Sequence, residues 1–195
     1  MSGAVKPKVG FVLGLPGSGK GTICTYINEK FKMIHMSAGD LLRREMNNNT
    51  EIGNRIRDDM LKNTIVPSEV TVSLIGKEIF NHKDSGAFLI DGFPRNIENV
   101  EAWNSILGSK TNLIFVLWLE CAQKICSERI MKRGQSSGRY DDRSEALERR
   151  FQVDKKASEP VVNYYQSHGL LIKIDASCDL EKVQESIDEK IKHLI

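Results

Sequence analysis

The sequence predicts an α/β fold, a doubly wound five-stranded parallel sheet with helices on both faces. Short apolar runs at Lys8 to Leu13, Met33 to Met36, Ala87 to Ile90, Leu113 to Leu119 and Leu170 to Ile174 alternate with segments of helical period. Such alternation implies parallel strands joined by right-handed crossovers. The first run leads into the glycine-rich stretch Gly14-Leu15-Pro16-Gly17-Ser18-Gly19. Lys20, Asp40, Asp91 with Arg95, and Asp175 all follow strands, and ligands of such sheets bind beyond the carboxyl ends of the strands.

Helical spacing predicts helices over Gly21 to Lys32, Gly39 to Asn47, Ile52 to Asn63, Ser68 to Asn81, Ile97 to Ile106, Ala122 to Lys132, Arg143 to Ser167 and Leu180 to Leu194. Thr50 and Ser68, the latter after Pro67, read as helix starts, and Asn47-Asn48-Asn49 as a polar turn. Ser37 to Pro67 contains helical patterns and no good strand, so it reads as a helical insertion between sheet strands and a candidate mobile flap. A second candidate is the small-residue loop Arg133 to Arg143, a composition shared by plain solvated connectors.

At 195 residues the chain suits one domain. Its 40% hydrophobic and 28% charged residues are those of a globular protein. No apolar run approaches the roughly 20 residues of a membrane span, and Met1 to Lys8 lacks the apolar core of a secretory signal. We expect no membrane partner and a cytoplasmic location, the nucleus also being open. A net charge of +2 gives no reason to expect a nucleic-acid polymer as partner. Cys24, Cys121, Cys126 and Cys178 show no metal or disulfide spacing and are expected as free thiols.

Gly14 to Thr22 reads as a phosphate-binding loop, which makes the sheet P-loop NTPase-type. A buried strand ending in a glycine-rich turn that opens a helix aims backbone N–H groups, the helix dipole and Lys20 at one place. Gly21 stands where the general motif has Ser or Thr, and the hydroxyl comes one place later at Thr22. The metal role of that hydroxyl is therefore less secure than the phosphate role.

Four further segments are Met36-Ser37-Ala38-Gly39-Asp40-Leu41-Leu42-Arg43, Ile65-Val66-Pro67, Asp91-Gly92-Phe93-Pro94-Arg95, and Arg129 to Gly134 leading to Ser137-Gly138-Arg139. With the loop, these closely resemble nucleoside monophosphate kinases of the adenylate kinase family, and their UMP-CMP kinase branch in particular. The resemblance runs in order from about Lys8 to the C-terminal helix. It implies transfer of the γ-phosphoryl of MgATP to a nucleoside monophosphate, with a core over 1–36, 67–131 and 143–195, a monophosphate flap over 37–66 and a short lid over 132–142. The lid carries no zinc-binding cysteines, so a structural zinc is not expected there. A monomer is the family default.

The acceptor phosphate is largely dianionic at neutral pH. The reaction therefore needs cations and positioning more than a base. Lys20 and the backbone of Gly17, Ser18, Gly19, Gly21 and Thr22 are expected to hold the ATP phosphates. Matching positions imply that Arg43 and Arg95 grip the monophosphate, with Ser37, Ile65, Val66, Gly92, Phe93 and Pro94 beside them. Planar guanidinium suits such bidentate binding. By resemblance Arg139 and Arg150 contact the monophosphate and Arg133 the ATP, all three closing over the transferred group. Asp91, with Thr22, is expected to hold Mg²⁺ through water. Arg129 is expected to stack on adenine, with the backbone near Cys178 at the base edge. Asp141 and Asp142 are either solvated lid charges or a latch for its arginines.

Asn99, four places after Arg95, bears on base choice, since adenylate kinases place a glutamine at the matching position and the UMP-CMP branch an asparagine. An amide that turns can serve both cytosine and uracil. Asn96 is its rival. His35 and the tryptophans Trp103 and Trp118 are expected to pack in or beside the core. In the flap, Asn63-Thr64 stands where the family usually has Gly-Lys, and the insertion is about one residue short near Asn47 to Thr50. Contacts from Thr64 are therefore not expected to match, whereas backbone contacts at Ile65 and Val66 are. The resulting expectation is ATP-dependent phosphorylation of CMP, UMP and dCMP. The alternatives are an adenylate kinase acting on AMP and a nonenzymatic nucleotide-binding module.

Overall fold

The structure, a computed structural model, describes residues 5–48, 50–62, 66–82, 86–137 and 144–195, without the side chains at 60, 133–137, 144–146 and 150. The strands are β1 (Lys8–Gly14), β2 (Ile34–Ser37), β3 (Ala87–Asp91), β4 (Asn112–Glu120) and β5 (Leu171–Asp175). They form one sheet in the order β2-β3-β1-β4-β5, and every pairing is parallel. Helices α1 (Lys20–Phe31), α2 (Ala38–Met46), α3 (Glu51–Leu61), α4 (Ser68–Asn81), α5 (Ile97–Ile106), α6 (Gln123–Ser137), α7 (Ser144–Ser167) and α8 (Leu180–Ile191) complete it. The doubly wound sheet expected from the alternation is the one observed.

Buried on both faces, the central strand β1 reads as a continuous apolar run with alternating duties. Val9, Phe11 and Leu13 enter the core shared with Val72 and Ile75 of α4, Trp103 of α5, and Val161 and Tyr165 of α7. Val12 points the other way, toward Ile23 and Ile27 of α1 and Val183 and Ile187 of α8. Phe11 meets Trp103 edge-on, with ring centroids 4.9 Å apart. Truncating such a fully buried ring costs about 3–5 kcal/mol. Between β2 and β3 lie α2 and α3, whose own small core contains Leu42, Ile56 and Val66.

Both expected helix starts are observed. Thr50 does begin α3, its Oγ1 accepting from the Gly53 N–H at 2.9 Å, as a helix cap does. Ser68 likewise begins α4 as its first residue, behind Pro67 at the cap position, and its hydroxyl is used elsewhere. The expected loop from Arg133 starts later, because α6 runs on to Ser137. Cys126 and Ile130 pack with Leu147 and Phe151 of α7, and a single Gly134 is too weak a breaker to stop a helix so anchored. Residues 138–143, which include Arg139, Asp141 and Asp142, lie outside the described residues, as do Thr64 and Ile65.

Candidate active site

At β1 the strand order reverses: the chain passes first to β2 and β3 on one side and then to β4 and β5 on the other. The loops beyond the strands diverge there and leave a cleft of about 530 Å³, at the position where doubly wound sheets bind ligands. Its walls come from the β1–α1 loop, the carboxyl ends of β2 and β3, α2, α6 and α7.

The β1–α1 loop owes its shape to glycine. Gly17 has φ 80°, and a Cβ there would lie 2.3 Å from the Cys126 carbonyl oxygen, so no side chain fits. Gly19, at φ 96°, caps α1. The first turn of that helix thus presents its N–H groups toward the cleft. Lys20 Nζ folds back on the loop and donates to the carbonyls of Gly14 (2.8 Å) and Leu15 (3.0 Å). Ser18 is buried, and its hydroxyl has no hydrogen-bond partner among the described residues. Gly21 and Thr22 are exposed and line the cleft.

Arg129 of α6 closes one end of this loop wall. Its guanidinium donates to the Ala176 carbonyl at 3.1 Å and reaches Ser18 O at 3.4 Å, bridging the loop to the segment after β5. Cys178 stands in that segment with its thiol donating to Asp175 O at 3.2 Å, off the cleft wall.

Across the cleft, Ser37 caps α2 through the Asp40 N–H, which turns Asp40 and Arg43 toward the opening. Arg43 donates to Asp40 Oδ1 through Nε (3.1 Å) and through a terminal nitrogen. Arg95, beyond the cis Phe93-Pro94 bond, donates from Nε to Gly92 O at 3.2 Å. Gly92 and Pro94 line the cleft with it. Phe93 does not: it is fully buried and stacks edge-on against Phe11 at 5.7 Å. Val66 turns its side chain into the core of the flap, so a contact from it would come from its backbone, as expected.

Asn99 lies beneath this wall, 2% exposed. Its Oδ1 accepts from Arg95 N–H at 3.0 Å and its Nδ2 donates to Ser68 Oγ at 2.7 Å. A backbone N–H can only donate, so the amide is fixed in one orientation. Turning it over would set its NH₂ against the Arg95 N–H and lose that bond, which opposes the free rotation expected from the sequence. Asn96 caps α5 by accepting from Asn99 N–H at 3.0 Å.

Asp91 ends β3 in the cleft, and its Oδ2 lies 2.8 Å from His35 Nε2. Behind them burial pushes the Cys24 thiol well up, the Asp91 charge adding to this and Lys20 opposing it. All four cysteines are free.

A model of the family described as Adenylate kinase matches residues 12–170. The chain belongs to the adenylate kinase family. Among its relatives, UMP-CMP kinase of Sus scrofa is 44% identical over 193 residues, covering 96% of this chain and 97% of the relative. UMP-CMP kinase of Homo sapiens is 43% identical over 188 residues, with 94% and 96% covered, and that of Danio rerio is 40% identical over 184 residues, with 92% and 94% covered. Family membership makes the chain a nucleoside monophosphate kinase that takes its phosphoryl group from ATP.

For an adenylate kinase family member, the cleft gathers Lys20, Thr22, Ser37, Arg43, Asp91, Arg95 and Arg129 in one wall system. Arg133 stands one helical turn after Arg129 on α6, and Arg150 stands on α7. Sequence reading missed His35, Trp118, Asp154 and Ser158 as lining residues. Asp154 and Ser158 follow Arg150 at successive four-residue steps, and that helical spacing was a usable signal. His35 carried none, since only the β2–β3 pairing brings it to Asp91.

Proposed function

We propose that the chain phosphorylates pyrimidine nucleoside monophosphates, namely CMP, UMP and dCMP, and that it does so as a cytoplasmic monomer with MgATP as donor. The observation that carries the pyrimidine assignment is the near-complete coverage, at 43–44% identity, of relatives named UMP-CMP kinase. No helix among the described residues is long and apolar enough to cross a membrane.

In this reading the α1 N-terminus and Lys20 hold the ATP phosphates, while Arg43 and Arg95 exchange their protein acceptors for oxygens of the monophosphate. Arg133, Arg139 and Arg150 then surround the transferred group, where charge spreads in the transition state. Closure of residues 37–66 and 132–142 excludes water and protects ATP from hydrolysis.

The donors present fit Mg²⁺, because Asp91 and Thr22 offer hard oxygens in the cleft and Mg²⁺ retains much of its water. Bound there, the ion neutralises phosphate charge. Asp91 would hold it through water, with Oδ2 engaged by His35. Arg129 cradles the adenine side, and the backbone near Cys178 meets the base edge. Asn99 supports the acceptor side by holding the Arg95 turn.

A coupled assay comparing CMP, UMP, dCMP and AMP tests the assignment. The expected result is turnover of CMP and UMP with little of AMP. A preference for AMP would reverse the acceptor reading and leave the family unchanged. Absence of turnover with every acceptor, alongside retained ATP binding, would favour a nonenzymatic nucleotide-binding module.

A further inference from the structure

We propose that Cys24, His35 and Asp91 form a zinc-binding site in the floor of the cleft, filled when nucleotide is absent and inhibitory because it draws Asp91 away from the substrates. The three side chains come from α1, β2 and β3, and no sequence motif unites them. Their ligand atoms, a thiol sulfur, an imidazole nitrogen and a carboxylate oxygen, all lie within 4.8 Å of one another. Bond lengths of about 2.0–2.3 Å in a tetrahedral zinc site place ligand atoms about 3.3–3.8 Å apart. The cluster is therefore within about an ångström or so of that spacing.

The donor set discriminates between metals. Magnesium takes oxygen ligands, whereas sulfur and imidazole together select zinc. Three protein ligands leave a fourth position for water on the open side, where His35 and Asp91 line the cleft. Cys24 is fully buried behind them, so the ion enters through the nucleotide site. Binding replaces the S–H bond of Cys24 by a sulfur–zinc bond, and the proton leaves to solvent. Neutral His35 ligates through Nε2, the atom that now faces Asp91.

The occupant differs from the magnesium of the reaction. The inference depends on the cleft geometry and on no choice of acceptor base. Its test uses the nucleotide-free, reduced full chain, so a failed pyrimidine assignment leaves the metal measurement readable.

The chain is titrated with Zn²⁺ against a chromophoric chelator, and with Co²⁺ as a spectroscopic probe. One equivalent of zinc is expected with a dissociation constant below a micromolar. Cobalt is expected to show a sulfur-to-metal charge-transfer band that survives in a Cys121→Ser/Cys178→Ser protein and vanishes in Cys24→Ser. Zinc is expected to inhibit the parent kinase, while Cys24→Ser turns over normally with MgATP and resists inhibition. His35→Gln should weaken zinc by about tenfold or more, a second arm should Cys24→Ser not fold. A cobalt band retained in Cys24→Ser, a band lost in the double variant, or unchanged zinc affinity in His35→Gln overturns the site.

Discussion

The two halves of the cleft, proposed as the donor and acceptor sides, are built from different materials. On the donor side the backbone does the work: Gly17 and Gly19 hold left-handed angles, the loop is pressed against the Cys126 carbonyl, and Lys20 lies folded over it. The acceptor side is made of side chains from separate elements, each engaged with protein. Arg43 is on Asp40, Arg95 is on Gly92 O, and Asn99 props the Arg95 turn. One half is thus shaped before ligand arrives, while the other would bind by exchanging partners. Preformed donors lose little ordering entropy on binding, whereas exchanged partners subtract their own strength from the affinity. The donor half should therefore fail through sterics and the acceptor half through graded changes in KM.

The largest expected effect falls on an arginine proposed to close over the transferred group. Arg139→Ala should lower kcat by about 10³ or more, on the scale of an arginine that stabilises the transferred phosphoryl. A loss smaller than about tenfold would remove Arg139 from that role.

Next comes the contrast of two glycines in the donor loop. Gly17→Ala forces a Cβ into a carbonyl oxygen at a left-handed angle, costing at least about 1–3 kcal/mol of backbone strain and weakening ATP binding. At Gly21 a Cβ meets nothing within 4 Å, so Gly21→Ala should leave thermal stability equal or raised by up to about 1 kcal/mol. Equal melting temperatures for the two variants would break the claim that sterics shape the donor half.

This contrast also explains what the sequence made legible. Local rules sufficed for the sheet and the loop, because strand length, glycine spacing and helix period are written within a few residues. Lys20, Arg43, Asp91 and Arg95 were readable for the same reason, each standing just beyond a strand or in the first helix after one. The burial of Phe93 was not legible, because its motif neighbours face the cleft while its own ring turns into the core beside Phe11. The state of Asn99 was hidden too, since Ser68 is brought to it by the packing of α4 on α5. His35 shows the same limit, as its partner Asp91 is supplied only by strand pairing.

Breaking the Asn99 bonds should expose the acceptor half alone. Asn99→Gln is too long for its buried site, and Ser68→Ala removes one bond. At about 1 kcal/mol per bond, each should raise acceptor KM by about fivefold to tenfold, with ATP KM unchanged. Ser68→Thr should restore the bond and the KM. If ATP and acceptor KM rise together, the two halves are not separable and the comparison fails.

The smallest effect concerns how the donor helix is anchored. On α8, Asp188 Oδ2 accepts from Tyr26 OH of α1 at 2.7 Å and from Lys30 Nζ, tying the helix that opens the loop to the last helix of the chain. Desolvation pushes the Asp188 carboxyl up, but the bonds from Lys30 and Tyr26 outweigh it and leave it below the ordinary 3.8. A folded-state value lowered in this way stabilises the protein above the unfolded value and ceases to do so as pH falls through the folded one. Asp188→Asn should therefore lower the melting temperature slightly at neutral pH, by an exposed pair's small share, and the gap from the parent should close as pH drops below 3.8. Kinetics at neutral pH should be unchanged, because the donor loop takes its shape from Gly17 and Gly19 rather than from the far face of α1. A matching loss of ATP affinity would show that the loop depends on how its helix is anchored and is not shaped by its own backbone alone.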